Sequence, residues 1–211
     1  MRITVFGATG GTGVQLVLQA LDAGHEVTAV VRDPGRLAVS HERLEVITAD
    51  VTDAESLVPT LEGREAALSG LGSPHNKGAG IASKGTRAIL RALEQAGVSR
   101  YIAVSAAPVG PAPEGEGPLY RKVMLPLVRR AFRDVYADLA VMEEEIFASA
   151  AEWTVVRPPR LTDAPRTERY RRTLGGAVSG GHHIPRSDLA HAMLAMLGDA
   201  ATVKQVVGVA I

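Results

Sequence analysis

No cysteine occurs anywhere in this chain, and that absence removes three kinds of chemistry at once. There can be no disulfide, no thiolate nucleophile and no cysteine–zinc centre. A surplus of charge is missing too: 23 basic side chains stand against 23 acidic ones, for a formal net charge of zero. Nucleic acid and anionic membranes both reward a basic excess, so neither is expected as the main partner. No apolar run reaches the ~18 residues that a membrane-spanning helix needs. The opening "MRITVFGATG" lacks a charged-then-apolar leader with a small-residue cleavage site, so a cytoplasmic location is expected. A metal site is not expected either. His182 and His183 are adjacent, which in an extended strand sends them to opposite faces, and no acidic cluster lies near them in sequence.

What is present is an alternating rhythm. Short β-branched runs occur at 2–6, 26–32, 44–50, 66–71, 100–106 and 153–158, and "VKQVVGVAI" adds a last one. Between them, residues 13–24 place Val14, Val17, Leu18 and Leu21 at helical spacing, with Gly24 to end the turn. Further helices are predicted over 54–61, 83–96, 138–150 and 187–197, the last with Ser187 as its N-cap. Apolar strands alternating with amphipathic helices imply a parallel sheet covered on both faces. Right-handed crossovers then give a doubly wound α/β (Rossmann) fold, here a single domain over 1–211. Two stretches break the rhythm: the Pro- and Gly-rich 107–119 and the irregular, basic 162–183. Both follow predicted strands. They therefore lie at the carboxyl edge, where such folds bind ligands, and the segments 107–136 and 160–186 become the expected substrate side.

The first strand runs straight into "FGATGGTG", residues 6–13. Gly7 suits a turn of unusual dihedrals, Gly10 leaves room for a phosphate, and Gly13 lets the following helix pack closely. Free N–H groups and the dipole at the start of that helix favour a pyrophosphate. The spacing is G-x-x-G-x-x-G. In this form "VFGATGGTG" resembles the dinucleotide fingerprint of the extended and atypical short-chain dehydrogenase/reductases. "VVRDPGRL", "ADVTD" and "GTRAILRALEQAGVSRYIAVSA" are similar to the same group. "YADLAVMEEEIFASAAEWTVVRPPRLTD" and "PRSDLAHAML" resemble its small members related to the flavin reductase/biliverdin reductase B family.

The resemblance implies a nicotinamide cofactor on the loop Gly7, Thr9, Gly10, Gly11, Thr12 and Gly13. It implies adenine against Asp50 and Val51, and ribose and nicotinamide along Leu71 and Gly72. The second strand ends in "VVRD". Arg32 precedes Asp33 there, and a guanidinium can pair in a fork with a 2′-phosphate that a carboxylate would repel. NADP(H) is thus expected over NAD(H), with Arg36 assisting. Asp50 has a second reading as a cap for the helix beginning near Ala54.

Most dehydrogenases of the wider group use Tyr-x-x-x-Lys as their acid. Here the residues four after Tyr101, Tyr120, Tyr136 and Tyr170 are Ser105, Met124, Ala140 and Leu174, so the motif is absent. Interconversion of simple alcohols and ketones is disfavoured accordingly. Ser105 remains as the hydroxyl nearest the expected nicotinamide, although the family's active-site serine aligns on either Ser105 or Ala106. Where the family carries histidine after "PP", this chain has Arg160. His75, Pro108 and Arg160 are the expected substrate contacts. The reading is an NADPH-dependent reductase passing hydride to a small aromatic or conjugated acceptor (flavin, quinone or tetrapyrrole), acting as a monomer or weak homodimer. The alternative is a non-catalytic NADP-binding redox sensor working through a partner protein.

Overall fold

The structure, a computed structural model, describes residues 1–72, 80–113 and 115–211. The chain begins with β1 (Arg2–Phe6), α1 (Gly11–Asp22), β2 (Glu26–Val31), β3 (Leu44–Thr48), α2 (Ala54–Leu57) and β4 (Ala66–Ser69). It continues with α3 (Ile81–Ala96), β5 (Arg100–Val104), α4 (Leu125–Ala131), α5 (Arg133–Ala148) and β6 (Glu152–Arg157). The last third holds β7 (Arg160–Thr162), β8 (Arg171–Leu174), β9 (His183–Pro185), α6 (Arg186–Ala195) and β10 (Gln205–Ala210). Eight strands form one sheet in the order β3-β2-β1-β4-β5-β6-β10-β8, and β7 and β9 pair separately. Every pairing in the large sheet is parallel except β10 with β8. This is the expected doubly wound fold. The strand order reverses between β1 and β4, which makes the carboxyl ends of those two strands the switch point where ligands bind.

The two faces of the sheet follow from its period of two. Ile3, Val5, Ile102 and Val156 point to one side and meet Leu16, Val17, Leu189 and Met193 of α1 and α6. Phe6, Tyr101, Ala103 and Val155 point to the other and meet Ile89, Leu93, Met142 and Ile146 of α3 and α5. Each such aliphatic side chain stabilises the fold by about 1.5–3 kcal/mol when fully buried.

Several boundaries differ from the expectation, each for a local reason. The helix expected over 54–61 stays α-helical only to Leu57 and tightens into a 3₁₀ turn at Val58–Thr60, where Pro59 has no N–H to give. α3 starts earlier than expected because Asp138, from α5, accepts hydrogen bonds from the backbone N–H groups of Ala82 and Ser83 at 3.1 Å each. α5 itself begins at Arg133. Ser187 is not the cap of α6. Strand β9 leads directly into that helix through Pro185, and the Ser187 hydroxyl instead donates to the Ala164 carbonyl at 3.2 Å. Within the basic segment expected to be irregular, Arg171–Leu174 forms the antiparallel edge strand β8 on β10.

Candidate functional site

The loop after β1 is shaped by close backbone approaches. Gly7 adopts φ +71°, and a Cβ there would lie 2.9 Å from the Gly70 carbonyl carbon. Its own carbonyl accepts from the Gly10 N–H at 2.9 Å. A Cβ on Gly13 would sit 2.0 Å from that same carbonyl, so only glycine lets α1 seat on the loop. Gly10 is the N-cap of α1, and among the described residues no side chain caps the first turn. Gly11 has a different reason for its lack of side chain: the stem of Arg186 crosses it, and a Cβ would meet Arg186 Cδ at 2.7 Å. Arg186 Nη1 is in turn held by Asp163 Oδ1 at 2.5 Å.

Beside this loop opens a cleft of about 360 Å³. Gly7, Thr9 and Gly10 wall it on one side, Arg32 and Arg36 on another, with Val51, Leu71 and Gly72 completing it. Thr12 and Gly13 are buried behind the loop rather than on the cleft wall. Asp33 accepts the Gly35 N–H at 3.0 Å and so caps the turn Pro34–Arg36. Asp50 takes the Thr52 N–H at 2.9 Å and the Thr52 hydroxyl at 2.8 Å. The backbone bond first, then the hydroxyl, hold its carboxyl below the usual carboxylate range, with the Arg32 charge adding a smaller pull. Its expected role as a helix cap falls to Asp53, which accepts from Glu55 N–H at 3.2 Å. A larger groove of about 660 Å³ between α3 and α5 includes Gly97, Ser99 and Ala151. It therefore lies at the amino ends of β5 and β6, away from the switch point.

At the end of β5, Ser105 meets the carboxylate of Glu143 on α5. The Ser105 hydroxyl donates to Glu143 Oε1 at 2.6 Å, and Ser105 is only 5% exposed. The same carboxylate receives Arg157 Nε at 2.8 Å and Nη2 at 2.5 Å, a two-pronged pair joining α5 to the end of β6. Pro108, in the turn after β5, offers its carbonyl to Arg129 Nε at 2.8 Å, and Gly110 offers its own to Arg129 Nη2 at 2.6 Å. Arg160 is exposed on β7 and makes no side-chain hydrogen bond or ion pair among the described residues. His75 lies outside the described residues.

The tyrosines are scattered. Tyr101 is fully buried with its hydroxyl 3.5 Å from that of Thr86, and burial pushes its pKa up. Tyr170 meets His191 Nδ1 at 2.8 Å on α6. Tyr120 and Tyr136 are also raised, chiefly by burial. Sequence reasoning missed Glu143, Arg157 and Arg186. Glu143 carried a legible signal: it falls four residues after Leu139 on the buried stripe of α5. Arg186 carried none, because its partner Gly11 is 175 positions away.

Residues 7–200 match the NAD(P)H-binding family model. The chain belongs to the NAD(P)H-binding family. Among curated proteins it is similar to the photosystem II assembly factor Ycf39 of Cyanophora paradoxa, 33% identical over 106 residues, or 48% of this chain and 33% of Ycf39. It is also similar to a 3β-hydroxysteroid dehydrogenase/Δ5→4-isomerase of Mycobacterium tuberculosis, 29% identical over 155 residues, 68% of this chain and 41% of the other. The matches thus span well under half the length of these relatives. The structure of the oxidoreductase ylbE from Lactococcus lactis superposes with a TM-score of 0.84 at 18% identity, covering 100% of this chain and 90% of that one. That likeness establishes the fold. The expected resemblance to short-chain reductases is met at this level.

Proposed function

We propose that this member of the family is a cytoplasmic NADPH-dependent reductase that passes hydride to a conjugated acceptor such as a flavin, quinone or tetrapyrrole. The observation that carries the cofactor choice is the division of labour at the end of β2. Asp33 is spent on the turn Pro34–Arg36, while Arg32 and Arg36 wall the cleft. The pair of guanidinium groups suits a 2′-phosphate. A diphosphate would lie on the backbone N–H groups at the start of α1, beside the Arg186–Asp163 pair whose arginine stem crosses Gly11. The nicotinamide supplies the hydride when bound.

The protein's own share in the reaction is positioning. A ketone receiving hydride becomes an alkoxide and needs an acid, typically worth 10²–10⁴-fold. Tyr101 is sealed in the core, Tyr170 is engaged by His191, and the Ser105 hydroxyl is committed to Glu143. A conjugated acceptor spreads the incoming charge and takes its proton from water later. Close approach of donor and acceptor, about 3–3.5 Å, then carries most of the rate. The test is NADPH oxidation with flavin, quinone and ketone acceptors, in the parent and in Tyr120→Phe, Tyr136→Phe and Tyr170→Phe. Turnover is expected with flavin or quinone and little change is expected from each substitution. A thousandfold loss from one tyrosine, or a preference for simple ketones, defeats the mechanism.

The commitment of Ser105 to Glu143 also favours a second reading, a redox sensor that binds NADP(H) without turnover and acts through a partner. The likeness to an assembly factor supports it. Tight NADPH binding with no oxidation across the acceptor panel would select it.

A further inference from the structure

Residues 119–133 contain five cations, Arg121, Lys122, Arg129, Arg130 and Arg133, and no acid. The same stretch exposes Leu119 (69%), Leu127 (60%), Val123 (51%), Met124 (49%) and Phe132 (48%). Twelve large apolar side chains are exposed among the described residues, and these five fall within one short segment. The backbone is a wide helical turn, Tyr120–Met124, running into α4. Leu119, Val123 and Leu127 recur every four residues and so form one stripe. Leu125 turns inward, 5% exposed, and anchors the segment. Arg129 ties it to the carbonyls of Pro108 and Gly110 after β5. Among the described residues, neither Arg121, Lys122 nor Arg130 has an acidic partner.

A contiguous exposed apolar stripe marks a contact surface. A second copy is a poor occupant, because a two-fold interface turns the patch on itself and would crowd Arg121, Lys122 and Arg130 of both copies together, Arg133 alone having Asp134 beside it. An anionic lipid surface satisfies both halves of the pattern. The acyl boundary accepts the apolar stripe, the headgroups pair with the guanidinium and ammonium groups, and the long basic stems lie along the interface. We infer that residues 119–133 dock the protein on anionic membrane surfaces. The chain-wide neutrality that spoke against a membrane does not bear on this patch, since the balancing acids lie elsewhere in the chain. Docking does not depend on the hydride-transfer reading. Where that reading holds, the acceptor side of the fold faces a bilayer, in which quinones dissolve.

The experiment is flotation of the full chain with vesicles of phosphatidylcholine alone, or with about one-third phosphatidylglycerol, at low and high salt. Binding is expected on the anionic vesicles, at least about tenfold weaker on neutral ones, and weakened by salt. Arg121→Gln/Lys122→Gln/Arg130→Gln is expected to lose on the order of a hundredfold in affinity. Leu127→Gln is expected to lose roughly tenfold or more. Both variants change exposed positions, and both should keep the parent's circular dichroism and NADP⁺ affinity. No association with anionic vesicles overturns the inference, as does equal binding to neutral ones. A dimer that Leu127→Gln splits, without vesicle binding, assigns the face to a second copy and overturns it too. NADP⁺ binding to the parent, scored separately, tells failure of the cofactor reading from failure of this one.

Discussion

Arg32 and Asp33 are neighbours of opposite charge, and cofactor preference turns on which of them addresses the cleft. Asp33 bends back to Gly35, leaving the guanidinium of Arg32 on the cleft wall. A charge-assisted hydrogen bond contributes about 1.5–3 kcal/mol, and about 1.4 kcal/mol is tenfold. NADPH is therefore expected to bind roughly 10- to 150-fold more tightly than NADH. Arg32→Ala should remove most of that difference while leaving NADH affinity near its original value. Fluorescence titration of both cofactors against both proteins measures it, and equal affinities in the parent would rule the assignment out. The place of Arg32 on the cleft wall was legible in the sequence because a strand end is a local feature. Gly11 was read as a phosphate contact. Its closest constraint is the Arg186 stem, a contact made only by the packing of α6 on α1.

Among the elements, α5 does the most to tie together α3 and the carboxyl ends of β5 and β6. It lends Asp138 to cap α3 and Glu143 to clamp β5 and β6. The Glu143 and Arg157 side chains are 4% and 10% exposed, so removing the carboxylate strands a buried guanidinium. Breaking such a pair costs about 3–5 kcal/mol, whereas losing one hydroxyl donor costs about 1–3 kcal/mol. Urea unfolding should accordingly place Glu143→Ala well below Ser105→Ala in stability. The opposite order would show that Ser105 has a role beyond the clamp. Strands such as β1, β5 and β6 were readable from their apolar runs alone. The start of α3 was not, because its cap comes from a residue 56 positions later. Nor was β8, whose "RRTL" is exposed, charged and strand-like only by pairing with β10. The helical turn before α4 escaped for a related reason: Pro and Gly just upstream read as loop, and among the described residues its apolar stripe faces no core.

For the molecule as a whole, a ligand that spans the switch point should stabilise every layer the sheet connects. NADP⁺ at a hundredfold over its Kd adds about 2.7 kcal/mol. For a chain of this size that corresponds to a rise in Tm of roughly 5–11 °C. Differential scanning fluorimetry reads the rise directly. Gly10→Val, whose Cβ would lie 3.2 Å from the Gly7 carbonyl in the loop after β1, should fold and show no rise. A full shift in that variant would place the cofactor elsewhere. One feature of the topology reaches beyond the finished protein. β10 follows β8 in the chain, yet it lies between β6 and β8 in the sheet. Until it arrives, β6 presents a bare row of backbone donors and acceptors, the kind of edge on which chains pair wrongly. At 5–20 residues per second, the stretch from residue 158 to 210 takes roughly 3–10 s to make, and over that interval β6 has no β10 to pair with. During synthesis this half of the sheet stands open to chaperones and to other nascent chains, and β10 closes it.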